Sequence, residues 1–287
     1  MTEKLCRLLK DSPLCVHSIE IIRNGEILLH KAFDEDIPYP VYSAAKSVTS
    51  MGFSLCWDDG ILSPGAILGD FIENKYKPFF PKGFDKLPFE RFLTMTSGSY
   101  PFRPQGEDWM KYIFSLDVDF SDTAFHYSNI PAYLVGAACE NALGQNLMSY
   151  LEKRIFDPLG MAAPEYTLCP QGHFYGATGM KMTVHQLALL GQLCLQKGNW
   201  KGKQLISREA VNQATSPHVF TGSDYYGYFF RIAPDHFSIV GKWGQRCMIY
   251  PELGIVAAYL SDCPRDPDGL YETVHSYITH NFDPLPR

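Results

Sequence analysis

Apolar and polar residues alternate near both ends of the chain. Residues 17–33, which read HSIEIIRNGEILLHKAF, contain two β-rich runs on either side of Asn24-Gly25. An Asn-Gly pair between such runs is the strongest short-range signal of a β-hairpin. From Tyr225 onward, the segments YGYFFRIAP, HFSIVG, QRCMIYPE and GIVAAYLSD are again typical of strands. Strands are therefore predicted at both ends of the sequence.

Helical spacing governs the middle of the chain and its two extremities. The run SAAKSVTSMGFSLCWDDG follows Tyr42 and ends at Gly60, a typical residue just beyond a helix C-terminus. Further helical runs, interrupted by Pro and Gly, extend from Pro64 to about residue 215. A short amphipathic helix is predicted at the N-terminus, and DGLYETVHSYITHNF predicts a last helix.

This order of elements predicts an α+β fold whose antiparallel sheet is built from both termini and flanked by helices. Consecutive strands that are joined by short turns pair antiparallel. Residues 1–62 and 217–287 are expected to form an α/β lobe around that sheet, and residues 63–216 an inserted, all-helical lobe. A cleft between two lobes is the default location of an active site.

Composition and charge exclude several classes of partner. The 287 residues are 46% hydrophobic and 20% charged, which suffices for a substantial core. A net charge of −6 without a basic stripe argues against nucleic acid. No run approaches the ~18 apolar residues of a membrane span, and the N-terminus lacks a secretory signal pattern. A cytoplasmic location without membrane contact is expected, and the oligomeric state is left open.

The cysteines and histidines predict neither a cofactor nor a metal. The eight cysteines are scattered and form no C-x-x-C pair, which favours free buried thiols in a reducing compartment. A zinc site or a disulfide framework is the alternative. His173 and His185 show no H-E-x-x-H spacing.

Ser43 and Lys46 are the first candidates for chemistry. They form an S-x-x-K motif at the start of a predicted helix, where positions i and i+3 share a face, so the lysine can reach the serine hydroxyl. A serine becomes nucleophilic when a neighbour takes its proton, and a partly buried lysine has the lowered pKa that suits this task. Alternatively, Ser43 is a helix cap and Lys46 a solvated first-turn lysine.

Tyr127-Ser128-Asn129 precedes another helical run and is the second candidate. A tyrosine near Lys46 could serve as the general base, since a cation stabilises tyrosinate, and an amide could orient both the lysine and the substrate. Alternatively, Tyr127 is a buried core aromatic.

Together these motifs resemble the serine β-lactamase and penicillin-binding-protein superfamily, specifically the branch of class C β-lactamases and family VIII esterases. FLTMTSG, FHYSNIPAYLVG, IFDPLGM, GATGMKMTVHQLA and WKGKQLIS resemble family segments in the same order along nearly the whole chain. The resemblance implies the same fold. It also implies that Ser43 is the acylated nucleophile, Lys46 its activating partner, Tyr127 the base and Asn129 the site-shaping amide.

The third family motif, K-T-G, H-T-G or W-G-G on a strand lining the cleft, is where the chain departs from the pattern. In HFSIVGKWGQRCMIYPELG, Gly241 aligns with the motif glycine, so the first motif position falls near Ile239, which cannot bind a carboxylate. The resemblance then implies an oxyanion hole made by the N–H groups of Ser43 and Lys242. A register shift of one or two residues stays open. So does a loop in which His236 or Lys242 supplies the cation; alternatively, these are a turn histidine and a surface lysine.

The predicted function is that of a serine hydrolase which cleaves a small-molecule ester, amide or lactone through a Ser43 acyl-enzyme. Without the motif cation, a genuine β-lactamase or D,D-carboxypeptidase is the second interpretation. A catalytically silent, ligand-binding relative is the third, although four retained motif residues speak against it. Further candidates for the cleft, each also a candidate for the core, are Tyr100, Phe102, Trp109, Tyr112, Tyr175, His236, Trp243 and Gln245.

Overall fold

A central antiparallel sheet organises the molecule. The computed structural model describes residues 2–10 and 14–285. In chain order the strands are β1 Val16–Arg23, β2 Glu26–Ala32, β3 Tyr39–Pro40, β4 Lys181–Met182, β5 Asn199–Trp200, β6 Lys203–Gln204, β7 Val219–Phe220, β8 Tyr225–Tyr226, β9 Arg231–Ile232, β10 Phe237–Val240, β11 Arg246–Tyr250 and β12 Ile255–Ser261. Eight of them form the central sheet in the order β2-β1-β12-β11-β10-β9-β8-β7, while β3 pairs with β4 and β5 pairs with β6.

The predicted hairpin and the joining of both termini in one sheet explain this strand order. Asn24 and Gly25 connect β1 to β2 with φ angles of 51° and 85°, the left-handed pair that a tight two-residue hairpin turn requires. β1 also pairs antiparallel with β12, so that Ile21 lies opposite Ala257. The predicted α+β class, with an antiparallel sheet built from both termini, is therefore confirmed.

Ten helices among the described residues cover the sheet and build the rest of the molecule. A π-helical turn, Glu152–Phe156, joins the sixth and seventh of them. The helices are α1 Thr2–Lys10, α2 Ala45–Asp58, α3 Phe89–Leu93, α4 Trp109–Phe114, α5 Ile130–Leu143, α6 Leu147–Leu151, α7 Asp157–Leu159, α8 Val184–Leu195, α9 Arg208–Ala214 and α10 Pro267–Asn281.

Side chains of the central strands alternate between two hydrophobic cores, as a pleated sheet dictates. Along β12, Ile255, Ala257 and Tyr259 pack with α1 and α10 on one face. On the other face, Val256 and Ala258 belong to a larger core that also contains residues of α2, α5 and α8. Because both of its faces are buried, β12 is an almost continuous apolar run rather than an alternating one.

Helix α8 belongs to residues 63–216, the range expected to form a separate helical lobe. It packs instead on β1, β11 and β12 of the central sheet. Its Gly191 lies so close to Cys247 and Val256 that a Cβ atom there would overlap both side chains. The lobe boundaries at residues 62 and 217 stay a prediction.

None of the helices in the described part of the chain is long and apolar enough to cross a membrane.

Candidate active site

A tight turn presents Ser43 just before α2. Residues Tyr42–Ala44 form a single 3-10 turn that leads directly into the helix, and Ala44 N–H donates to the Val41 carbonyl at 3.1 Å. Tyr42 has a φ of 48°, a conformation that costs a non-glycine residue about 1–3 kcal/mol and is often found at functional sites. The strained turn leaves Ser43 half-buried at the edge of a cavity.

The side chain of Lys46 is held by three oxygen atoms. It is 1% exposed, and its Nζ lies 3.1 Å from Ser43 Oγ, 2.7 Å from Asn129 Oδ1 and 3.0 Å from the carbonyl oxygen of Ala177. Buried polar groups require such partners, and here all three positions around the nitrogen are used. The structure therefore joins the S-x-x-K serine, its lysine and the Asn129 amide in one hydrogen-bonded group.

Burial also changes the acidity of this lysine. Removal from water disfavours the charged form and lowers the pKa of Lys46, although the nearby Tyr127 opposes part of that effect. Asn129 Oδ1 and the Ala177 carbonyl can only accept, whereas Ser43 Oγ can either accept or donate. A neutral amine would therefore donate its two N–H groups to the amide and carbonyl oxygens, leaving its lone pair for the serine hydroxyl.

The Tyr127–Asn129 segment approaches Lys46 from the N-terminus of α5. Asn129 N–H donates to the Phe102 carbonyl at 2.8 Å, and its Nδ2 donates to the Tyr175 hydroxyl at 3.1 Å. Lys46 Nζ lies 4.8 Å from the centre of the Tyr127 ring. The predicted general base and the predicted amide are thus beside the predicted activating lysine.

The strand β10 supplies the opposite wall. Gly241 follows it immediately, and a Cβ atom on Gly241 would overlap the carbonyl oxygen of Val41. Only glycine therefore fits between β10 and the turn that carries Ser43. Ile239, which occupies the first position of the third motif, is fully buried in the larger core.

A cavity of about 750 Å³ lies between these walls. Of the predicted residues, it is lined by Ser43, Phe102, Trp109, Tyr127, Asn129, Tyr175, Gly241 and Lys242. The others that line it are Tyr42, Arg103, Pro104, Gln105, Gly106, Thr178, Tyr226, Phe229, Arg231 and Val240.

Five predicted cleft residues lie outside that lining. His236 is on the α10 side of the sheet, where its ring stacks on Tyr250 at 4.8 Å, so it supplies no cation to the cavity. Trp243 has a φ of 61° and makes an edge contact with Tyr42. The buried side chain of Gln245 is occupied by the backbone N–H and carbonyl of Ser261.

The fourth, Tyr112 of α4, is half-buried against the larger core. Tyr100, the other aromatic candidate, is buried in that core as well. Aromatic side chains fill cores more often than they line clefts, and the sequence does not distinguish the two environments.

Two cations at the cavity were not foreseen from the sequence. Arg231 of β9 donates to Asp224 Oδ1 at 2.7 Å, and the exposed Arg103 follows Phe102 in a loop. No short motif identifies Arg231, which reaches the cavity because β9 pairs with β10, where Arg231 is opposite Ser238. The cavity therefore has positively charged side chains even though Ile239 stands at the motif position that carries a cation in the family.

One group of side chains among residues 2–10 and 14–285 has the composition and spacing to hold a metal ion. It comprises Asp235, His236 and His275 and lies outside the cavity lining.

Comparison with known proteins identifies the family of the chain. The model of the Beta-lactamase family matches residues 18–275. The chain belongs to the Beta-lactamase family. Membership supports a function of the serine-hydrolase type in general. No protein with a curated description matches this β-lactamase-family chain.

Solved structures show the same fold at low sequence identity. A Bacteroides dorei protein provisionally described as a β-lactamase is 18% identical over 96% of this chain and 97% of its own, with a TM-score of 0.81. A Bacillus anthracis protein provisionally described as a 6-aminohexanoate-dimer hydrolase is 18% identical over 96% and 81%, with a TM-score of 0.80. The penicillin-binding protein of Bacillus halodurans is 15% identical over 97% and 100%, with a TM-score of 0.77. At these identities the likeness establishes the fold alone.

Proposed function

We propose that this β-lactamase-family chain is a serine hydrolase that cleaves an ester or amide bond, with a lactone as a variant, through an acyl-enzyme on Ser43. The observation that carries the proposal is the buried Lys46 amine, 3.1 Å from Ser43 Oγ, with Asn129 and Ala177 fixing its other two positions. A buried lysine held against a half-exposed serine has little structural purpose, whereas it suits activation of a nucleophile.

Acylation begins when Ser43 Oγ attacks the substrate carbonyl carbon. The serine proton passes to the Lys46–Tyr127 pair and then to the departing alcohol or amine, while the new Oγ–C bond replaces the bond to that group. The lowered pKa of Lys46, caused by burial, raises the fraction of neutral amine that can accept a proton. Neither the attack on the carbonyl carbon nor the departure of the alcohol or amine consumes a cofactor.

Deacylation reverses these roles with water as the nucleophile. We assign Tyr127 as the group that takes the proton from water, because its ring lies over Lys46 Nζ and its side chain lines the cavity. Attack by water breaks the Oγ–C bond, releases the carboxylic acid and restores the Ser43 hydroxyl.

The negative charge that develops on the carbonyl oxygen needs donors at the cavity wall. The N–H groups of Ser43 and Lys242 are the proposed pair, since both residues line the cavity and Gly241 lets the two segments approach closely. Such donors are backbone groups, so the departure of the third motif at Ile239 does not remove them.

The lining favours an acyl group with an aromatic or other apolar portion. Trp109 and Tyr175 meet edge to face at 4.7 Å, and Phe102, Tyr226 and Phe229 add further apolar surface. The Bacillus anthracis neighbour, provisionally described as a 6-aminohexanoate-dimer hydrolase, supports an amide as the alternative to an ester.

The arginines at the cavity favour a second candidate function, that of a β-lactamase or D,D-carboxypeptidase. Substrates of those enzymes carry a carboxylate, and a guanidinium binds a carboxylate with two parallel hydrogen bonds. Arg103 and Arg231 both line the cavity, although Arg231 already binds Asp224. The two candidates therefore differ in whether these arginines hold a substrate anion.

Covalent labelling tests the shared mechanism. A fluorophosphonate probe should add to the wild-type protein and fail to add to Ser43→Ala, whose folding is checked by circular dichroism. Absence of labelling in folded wild-type protein would contradict the hydrolase proposal and favour a silent, ligand-binding relative.

Substrate comparison separates the two candidates. Hydrolysis rates for p-nitrophenyl acyl esters, matched amides and nitrocefin should rank the esters or amides first. Faster turnover of nitrocefin, reduced at least about 10-fold in Arg231→Ala or Arg103→Ala, would instead support the carboxylate-binding candidate.

A further inference from the structure

Three metal-binding side chains meet on the face of the sheet that carries α10. Asp235 and His236 lie in the turn between β9 and β10, and His275 projects from α10. One carboxylate oxygen and one nitrogen from each ring all lie within 4.8 Å of one another. The proposed hydrolase chemistry uses none of the three.

We propose that Asp235, His236 and His275 form a binding site for a divalent transition-metal ion, with Zn²⁺ as the best fit. Two imidazoles and a carboxylate are a ligand set that zinc accepts, with water in a fourth position. Zn–N distances of 2.0–2.1 Å imply ligand atoms about 3.3 Å apart in a tetrahedral site. The separations between Asp235 oxygens and the ring nitrogens, 2.7 Å to His236 and 4.0 Å to His275, lie on either side of that value.

Asp235 approaches both histidine rings, each through a different carboxylate oxygen. Its Oδ1 lies 2.7 Å from His236 Nδ1, and its Oδ2 lies 4.0 Å from His275 Nε2. The first separation is that of a hydrogen bond, and the second is too long for one. Binding of an ion would require the half-exposed Asp235 side chain to exchange its hydrogen bond with His236 for a position about 3.3 Å from both ring nitrogens.

A supporting shell fixes the orientation of His275. Its Nδ1 lies 2.9 Å from the hydroxyl of Tyr250, which leaves Nε2 directed at Asp235. Metal-ligating histidines regularly use the other ring nitrogen in this way. Tyr250 and Tyr271 also stack on the His275 ring, with centroids 6.0 Å and 5.4 Å away.

Two charged side chains lie near the buried ring of His236. Arg246, which lies over the Tyr271 ring at 4.2 Å, is the charge that opposes a cation here. The Asp235 carboxylate is the nearer charge and compensates for it.

A bound ion would connect the β9–β10 turn to α10. Because β9 carries Arg231 and β10 leads to Gly241, the site would brace one edge of the cavity from the opposite face of the sheet. The proposal is independent of the hydrolase mechanism, since no step of that mechanism requires the ion.

Metal binding by the full chain provides the test. After dialysis against a chelator, titration with Zn²⁺ should give one site per chain and an increase in the melting temperature. His275→Ala and Asp235→Asn should each weaken binding at least about 10-fold, and Tyr250→Phe by roughly 10-fold. His280→Ala, at an exposed histidine of the same helix, is the matched control and should bind like the wild type.

Cobalt distinguishes this site from the cysteines. Co²⁺ in the wild-type protein should give visible absorption without the charge-transfer band of thiolate ligands, and His275→Ala should lose that absorption. Circular dichroism of the metal-free variants verifies folding; Asp235→Asn changes a half-exposed turn residue and preserves the test if His275→Ala is unstable. Absence of binding by the wild type, a thiolate band, or unchanged affinity in both variants would overturn the proposal.

Discussion

At the scale of single residues, Lys46 is the side chain on which the proposed chemistry depends most. Replacement by methionine keeps an unbranched chain of similar volume and removes only the nitrogen that contacts Ser43 and Asn129. Loss of a positioned proton acceptor typically costs a factor of about 100–10,000. Lys46→Met should therefore lower kcat for a p-nitrophenyl ester by that factor while the circular dichroism spectrum is retained. Turnover within a few-fold of the wild type would contradict the assignment.

The acidity of Lys46 gives a second prediction at this scale. The neutral amine is the active form, and burial lowers the pKa of Lys46, so the active form is populated at lower pH than for an ordinary lysine. The logarithm of kcat/KM should rise with pH and level off below the normal lysine range. Lys46→Arg keeps a permanent cation and should lose this limb. A limb that persists in Lys46→Arg would assign it to another group.

Sequence reasoning was effective for these residues because their spacing carries chemical meaning. Ser43 and Lys46 share one helix face, and the structure brings Asn129 to the same nitrogen, although the roles of all three stay predictions. Arg231 could not be identified because its place at the cavity depends on strand pairing, not on neighbouring sequence. His236 was misplaced because it lies in the turn between β9 and β10, where no alternation of polar and apolar residues indicates which face of the sheet a side chain meets.

At the scale of elements, the contact between α8 and the sheet depends on one missing side chain. A Cβ at Gly191 would overlap Cys247 Sγ and lie 2.8 Å from Val256, whereas a Cβ at Gly136 in α5 would find only ordinary contacts beyond 3.6 Å. Overpacking costs about 1–3 kcal/mol, while alanine is about 1 kcal/mol better than glycine inside a helix.

Chemical denaturation of two variants checks this difference. Gly191→Ala should lower the free energy of unfolding by about 1–3 kcal/mol, and its matched control, Gly136→Ala, should leave it equal or slightly higher. Equal effects at the two glycines would mean that α8 does not pack closely on the sheet.

A buried carboxylate joins α5, α6 and the segment after α7. Glu140 accepts hydrogen bonds from Leu147 N–H at 2.9 Å and Phe174 N–H at 3.2 Å, and it pairs with His173 Nδ1 at 2.8 Å. The bond to Glu140 raises the pKa of His173 above its ordinary value of 6.5. The protonated ring therefore stabilises the fold fully below about pH 6.5, and this contribution is lost as pH rises through the folded-state pKa.

Stability measured against pH tests that linkage. The wild type should have a higher free energy of unfolding than His173→Gln. This difference should be largest below pH 6.5 and should shrink as the pH rises. His280→Gln, at an exposed histidine, serves as the control for pH dependence of stability that does not arise from His173. A difference that grows with pH would reverse the sign and refute the linkage.

Elements were predicted well where local geometry determines them. The Asn24-Gly25 turn and the end of α2 before Gly60, at a φ of 71°, both rest on glycine in a left-handed conformation. The attachment of α8 to the sheet was not predicted, because a helix that is apolar on most sides does not reveal its partner.

At the scale of the whole molecule, the cavity exists only because remote parts of the chain converge. Ser43 comes from the N-terminal fifth, Asn129 from the middle, and Gly241 from the strand region near the C-terminus. Gly241 lies so close to the carbonyl oxygen of Val41, two residues before the nucleophile, that a Cβ atom on it would overlap that oxygen. The distance between the proposed oxyanion donors is therefore set by a contact between two backbones.

That contact makes Gly241→Ala the most informative single change to the assembled site. Gly241 has a φ of −125°, which alanine adopts without strain, so the added methyl group acts by pushing away its close neighbours, which are the Val41 carbonyl before Ser43 and the Cβ atom of Gln245. A displacement of about 1 Å at a reacting group can cost roughly 100-fold in rate, so kcat/KM should fall by about that factor. Gly65→Ala, where a Cβ meets nothing within 4 Å, should keep the wild-type rate. If both variants fold and Gly241→Ala also keeps that rate, the oxyanion donors cannot be the N–H groups of Ser43 and Lys242.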